Sequence, residues 1–60
     1  MILNKLADVR KRSGLTQKEL AESVLLSERT IIGLEGGGST TDNNAKRLAL
    51  ILKCKMKDLL

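Results

Sequence analysis

Little in this 60-residue chain can do covalent chemistry. It has no His and one cysteine, Cys54, which leaves no disulfide framework and no ordinary zinc site. It has no paired carboxylates at a useful spacing and nothing to activate Cys54, so catalysis is not expected and Cys54 reads as a small buried hydrophobe. The chemistry its residues can do is hydrogen bonding and charge, and the best-organised residues for it lie between Thr16 and Gly36. Thr16 is followed three residues on by Glu19, the arrangement in which each side chain satisfies the other's free backbone N–H at a helix start. Ser27, eleven residues later, can cap a second helix, with Thr30 a weaker partner than Glu.

Apolar residues at helical spacing follow both caps. Between them there is room for two turns of helix and a very short connection, so the two helices must cross steeply. Two short helices at such an angle are a means of pushing one helix into the DNA major groove.

Composition limits the alternatives. Sixty residues make one domain, 1–60, able to bury only about 60% of its unfolded surface, so stability should be marginal. With no Phe, Trp or Tyr, the core must be Leu, Ile, Val, Ala and Met, and the stacking platforms for single-stranded nucleic acid or RNA loops are missing. The net charge of +4 and pI near 9.7 suit a polyanionic partner without proving one. No apolar run approaches the ~20 residues that span a membrane, no signal-peptide order is present, and a reducing cytoplasm is the expected compartment.

The elements that would position these residues follow from periodicity. Ile2 to Ser13 reads as a first helix with Ile2, Leu3, Leu6 and Val9 on one face and Lys5, Asp8, Lys11 and Arg12 mostly on the other. Gly14 can end it at positive φ, and Leu15 can staple to Leu20 across the Thr16 cap. The second helix, Gln17 to Val24, buries Leu20, Ala21 and Val24; small Ala21 permits close approach of another helix. Leu25 and Leu26 form the connection, with Leu26 inward. The third helix, Glu28 to Glu35, turns Ile31 and Leu34 in and Glu28, Arg29, Ile32 and Gly33 out. Gly36–Gly38 opens a short loop, and no strand or Lys makes it a phosphate cradle. Thr40 or Thr41 caps a fourth helix with Ala45, Leu48, Ala49 and Leu52 inside. Cys54 to Leu60 reads as a last helical turn or short fifth helix, in which Met56, Leu59 and Leu60 serve equally well as core lid or dimer surface. The sum is an all-α, compact four- or five-helix domain.

These residues resemble the phage repressor and Cro-type (lambda-repressor-like) helix-turn-helix domains. The resemblance runs from Leu6 to Leu59 and centres on Leu15-Thr16-Gln17, Glu19-Leu20-Ala21, Ser27, Thr30-Ile31 and Leu34-Glu35, with Leu48-Ala49, Leu52, Met56 and Leu59 downstream. It implies a double-stranded DNA binder that regulates transcription, as a repressor acting by occupancy, with no cofactor, and bound to DNA as a homodimer. It implies that Gln17 hydrogen-bonds a phosphate and that Glu28, Arg29, Ile32 and Gly33 occupy base-reading positions. Arg29 would pair bidentately with guanine, Glu28 accept from cytosine N4, and Ile32 touch a thymine methyl. Ser27 and Thr30 would add phosphate or base-edge contacts, and Lys18, Arg12 and Lys46 nonspecific charge contacts. Arg10 and Glu35 resemble a family ion pair that holds the third helix to the first.

Departures from that pattern are informative. Leu25 stands in the turn where the family prefers Gly, so it must accept strain of about 1 kcal/mol or the turn must differ. Lys53 stands where a helix-ending Gly is usual. The loop after the third helix is neutral apart from nearby Asp42, and the third helix carries Glu28, Arg29 and Glu35, a net of minus one. Affinity should then be modest for a lone domain. The competing reading is a protein-interaction module that kept the fold but binds a partner through its third helix or its Leu-rich end. Apart from it, Arg29 also reads as a solvated side chain and Glu28 as a helix-N-terminal anion favoured by the dipole.

Overall fold

A computed structural model describes all residues, Met1–Leu60. The chain forms α1 (Leu6–Arg12), α2 (Gln17–Val24), α3 (Glu28–Glu35), α4 (Asp42–Ile51) and a closing 3₁₀ turn (Met56–Leu59). Each of the three middle helices starts at a hydroxyl cap. Thr16 Oγ1 accepts from Glu19 N at 3.0 Å while Thr16 N donates to Glu19 Oε1 at 2.8 Å, completing the reciprocal box. Ser27 Oγ accepts from Thr30 N at 3.1 Å, and Thr41 Oγ1, not Thr40, from Asn44 N at 3.2 Å. Such caps hold the helix starts in place and are each worth about 1 kcal/mol.

The core is one cluster built from every element: Leu3, Leu6, Leu20, Ala21, Val24, Ile31, Leu34, Ala45, Leu48, Ala49, Leu52 and Leu59. The inner faces read from the periodicity of the second, third and fourth helices are the ones buried. Ala21 sits buried on α2, which packs against both α3 and α4. Leu59 is fully buried and Met56 packs against the core, so this end of the chain is a core lid, with Leu60 left exposed. Leu26 is half-buried and packs against the core rather than entering it.

The start of the chain corrects the sequence expectation. Ile2 and Leu3 have helical spacing, yet α1 begins only at Leu6. Ile2 instead forms an antiparallel bridge with Ser39, and Thr40 N donates to Met1 O at 2.9 Å. The backbone here hydrogen-bonds across to the loop after α3, and Leu3 reaches the core from an extended segment while Ile2 stays exposed. That loop needs its glycines: Gly37 has φ of +103°, and a Cβ on Gly38 would lie 2.8 Å from the Gly33 carbonyl oxygen.

The turn between α2 and α3 keeps its geometry despite Leu25. Leu25 adopts the left-handed conformation, φ 59° and ψ 37°, and its side chain is 84% exposed. It therefore carries the backbone cost of a β-carbon there without gaining burial. Lys53 does the same after α4, at φ 56°. Leu25→Gly should stabilise the chain by about 1 kcal/mol in urea unfolding followed by circular dichroism; no change in midpoint would mean that the turn is not strained. The α2 C-terminus is also capped from outside, by Arg47 Nη2 donating to the Val24 carbonyl. Local spacing gives no sign of that contact, because its partners are 23 residues apart.

Candidate nucleic-acid interface

The outer side of α3 is set by what its inner side holds. Ile31 and Leu34 are buried at 0% and 4% exposure. At 100° per residue this turns positions 28, 29, 32 and 33 away from the core. Glu28, Arg29, Thr30 and Gly33 are exposed, and Ile32 is half exposed to water at 50%. Arg29 makes no hydrogen bond or ion pair within the chain, whose single salt bridge lies elsewhere. Ser27 and Thr30 face each other at the front of the helix, their hydroxyl oxygens 2.8 Å apart. A Cβ built on Gly33 would meet nothing within 4 Å, so packing does not require glycine there; its absence of a side chain leaves a notch on the outer face.

Behind this face lies a polar knot that fixes α3 to the rest of the fold. Arg10 of α1 donates from Nε to Glu35 Oε2 at 2.6 Å and from Nη2 to Glu35 Oε1 at 3.1 Å. Its remaining Nη1 donates to the Leu15 carbonyl in the α1–α2 turn at 2.8 Å. Gln17, the first residue of α2, donates from Nε2 to the same Glu35 Oε1 at 3.0 Å. One glutamate thus joins α1, α2 and the end of α3. The side chains of Arg10 and Glu35 are only 11% and 8% exposed. From the sequence Gln17 and the Arg10–Glu35 pair stand as separate features; the structure makes them a single network, across a gap of 18 residues that no local pattern reports.

Burial raises the Glu35 carboxyl, but the hydrogen bonds from Arg10 and Gln17, with the charges of Arg10 and Lys11, together hold it below the ordinary glutamate value. A carboxylate lowered in the folded state stabilises above its unfolded pKa, and that contribution is lost as pH falls through the folded one. The unfolding midpoint should therefore be level above about pH 5 and drop below about pH 4. Glu35→Gln should lower the plateau and flatten much of that drop in thermal unfolding; an unchanged acid limb would show that Glu35 is not its source. Glu19, hydrogen-bonded by the Thr16 backbone N–H, is also held low and leaves a residual slope in the same range.

The pairing also changes the charge of the outer face of α3. Glu35 is neutralised from behind by Arg10, so the outward surface of α3 carries Glu28 and Arg29 alone and is neutral rather than negative. Around it, Lys18 is exposed at the second position of α2, where the N–H groups of Gln17 and Lys18 have no intramolecular acceptor. Such a helix start suits a phosphate. Arg12 and Lys46 are exposed on α1 and α4. In the loop Ser39 Oγ accepts from Met1 N at 2.8 Å, while Thr41 Oγ1 caps α4 and keeps its own proton to donate.

No group of three or more His, Cys, Asp or Glu could hold a metal, and no helix is long and apolar enough to cross a membrane. Burial, and then the charge of Asp58, push the Cys54 thiol up, away from thiolate chemistry. The family profile for helix-turn-helix proteins matches residues 6–59. The chain belongs to the phage repressor and Cro-type helix-turn-helix family. It is thereby a DNA-binding domain of the transcription-regulator class, and its partner class is double-stranded DNA. No curated relative matches the chain. In this helix-turn-helix domain α2 and α3 are the paired helices, and the knot at Glu35 lies where they meet α1.

Proposed function

We propose that this domain, residues 1–60, is a sequence-specific repressor that reads the major groove with α3 and works by occupying its site. The observation that carries the reading is the division of α3: its inner residues and Glu35 are pinned, while Arg29 stands exposed and unpartnered at the front of the helix. Arg29 pairs bidentately with a guanine, Glu28 accepts from a cytosine amine, and Ile32 covers a thymine methyl. The notch at Gly33 lets the helix backbone sit close to the base edges.

Gln17, Lys18, Ser27 and Thr30 anchor phosphates at the two helix starts. Gln17 is well suited to this because its bond to Glu35 uses one amide proton and leaves the other free. An α3 face with one positive and one negative charge gives a single domain modest affinity, so it binds as a homodimer on half-sites about 34 Å apart, in the cytoplasm where its DNA lies. Fluorescence anisotropy titration of labelled duplexes at several salt concentrations tests this. Affinity should fall linearly with salt on logarithmic axes. Binding weaker than about 10⁻⁴ M to every duplex, without a salt slope, would exclude it.

A second reading draws on the exposure of Ile32 and Leu60: a module that keeps the fold but binds a protein through α3 or its last residues. Arg29→Ala separates the two, since loss of DNA binding in a folded variant supports the first and no effect supports the second.

A further inference from the structure

A second surface lies apart from the outer face of α3, where the side of α4 meets the end of α2. Leu50 is 77% exposed, Leu25 84% and Ile51 39%. Leu50 stands between two shallow depressions and lines both of them. One, about 210 Å³, also has Leu25 and Ile51 in its wall; the other, about 440 Å³, has Ala49 and Met56. The charged side chains lining the pair are Lys46, Arg47 and Lys53, and no Asp or Glu lines either. Leu25 adds an independent argument. It holds a left-handed backbone that glycine would adopt without strain, and nothing in the fold covers its side chain. Strain without burial at an exposed apolar residue points to a use outside the fold.

The charges select the occupant. A second copy seated across a two-fold axis would bring its own Lys46, Arg47 and Lys53 against these three cations. A DNA phosphate backbone would satisfy the cations but leave Leu25 and Leu50 in water. Apolar side chains flanked by carboxylates satisfy both requirements. We infer that the α2–α4 face docks an acidic amphipathic segment of another protein, with Leu25 and Leu50 as its apolar contacts and Lys46, Arg47 and Lys53 as its charged rim. Apart from Lys46, read above as a nonspecific charge contact, the residues involved are not those proposed to meet DNA, so this segment and DNA can be held at the same time.

The test is an NMR titration of the ¹⁵N-labelled full chain with a synthetic helical peptide carrying Leu at every third and fourth position and Glu elsewhere. Amide shifts should saturate and be confined to the neighbourhood of Leu25 and to residues 46–56. Leu50→Glu should weaken binding by roughly tenfold or more. Leu25→Gly should weaken it while raising the unfolding temperature, which separates lost docking from lost folding. Neither should change affinity for a DNA duplex, so failure here is distinguishable from failure of the DNA reading. Equal binding of an analogue with Lys in place of Glu would overturn the inference. So would absence of shifts, an unaffected Leu50→Glu variant, or binding to phosphatidylglycerol vesicles and not to the peptide. Shifts that appear with protein concentration alone would assign the face to a second copy and overturn it equally.

Discussion

Arg10→Met should leave the chain largely unfolded at neutral pH. The substitution keeps most of the apolar stem of Arg10 and removes its guanidinium, so the Glu35 carboxylate, 8% exposed, retains only the Gln17 amide as a partner. Removing one partner of a buried pair costs about 3–5 kcal/mol, because the other charge stays desolvated and unpaired. A chain of this size has a total stability of roughly 3–9 kcal/mol, so the loss is comparable to the whole. Circular dichroism at 222 nm against urea is the measurement, since the chain has no aromatic residue to serve as a fluorescent probe. Two companions sharpen it. Mild acid should partly restore helix in Arg10→Met by protonating Glu35. The double variant Arg10→Met, Glu35→Leu should be much more stable than Arg10→Met, since an apolar pair often replaces a buried ion pair at little cost. A single variant as stable as the parent would show that Glu35 does not depend on Arg10.

Arg29→Ala should do the reverse, leaving the fold intact and weakening binding. Arg29 is exposed and without a partner in the chain, so its truncation should move stability by no more than about 0.5 kcal/mol. A lost bidentate guanine contact costs about 1–3 kcal/mol, roughly a 5- to 150-fold loss of affinity for the preferred duplex. The loss should be much smaller for a duplex changed at the contacted base, because that pair was not being made. Lys18→Ala, by contrast, should weaken binding to all duplexes alike and reduce the salt slope by about one. Anisotropy with matched and changed duplexes reads both variants. Equal losses on the two duplexes for Arg29→Ala would reduce Arg29 to a nonspecific charge.

The parts of the molecule legible in its sequence are those governed by neighbours along the chain. The bounds of α2 and α3 follow from Thr16 and Ser27 because a cap and a helical stripe are both local. The strained turn could be foreseen because Leu25 stands where a left-handed residue is needed. Ile2 and Leu3 misled because their spacing is equally consistent with a helix and with an extended segment that buries only Leu3; bridging to Ser39, far along the chain, decides between them. The same holds for the site. Which residues of α3 face outward follows from its period, but the tie from Gln17 to Glu35 and the cap from Arg47 onto Val24 depend on how helices assemble. The neutral charge of the outer face of α3 was hidden for that reason, since it depends on Arg10 approaching Glu35 from behind.

The claim that α3 reads bases through Arg29 is tested most directly by selecting bound duplexes from a random pool with the parent chain and with Arg29→Ala in parallel. The parent should enrich a palindrome with half-sites about 34 Å apart, each holding a fixed guanine. Arg29→Ala should lose preference at that one position while keeping the rest of the motif. A parent that enriches no motif, or a variant that enriches the parent's motif with the guanine unchanged, would contradict it.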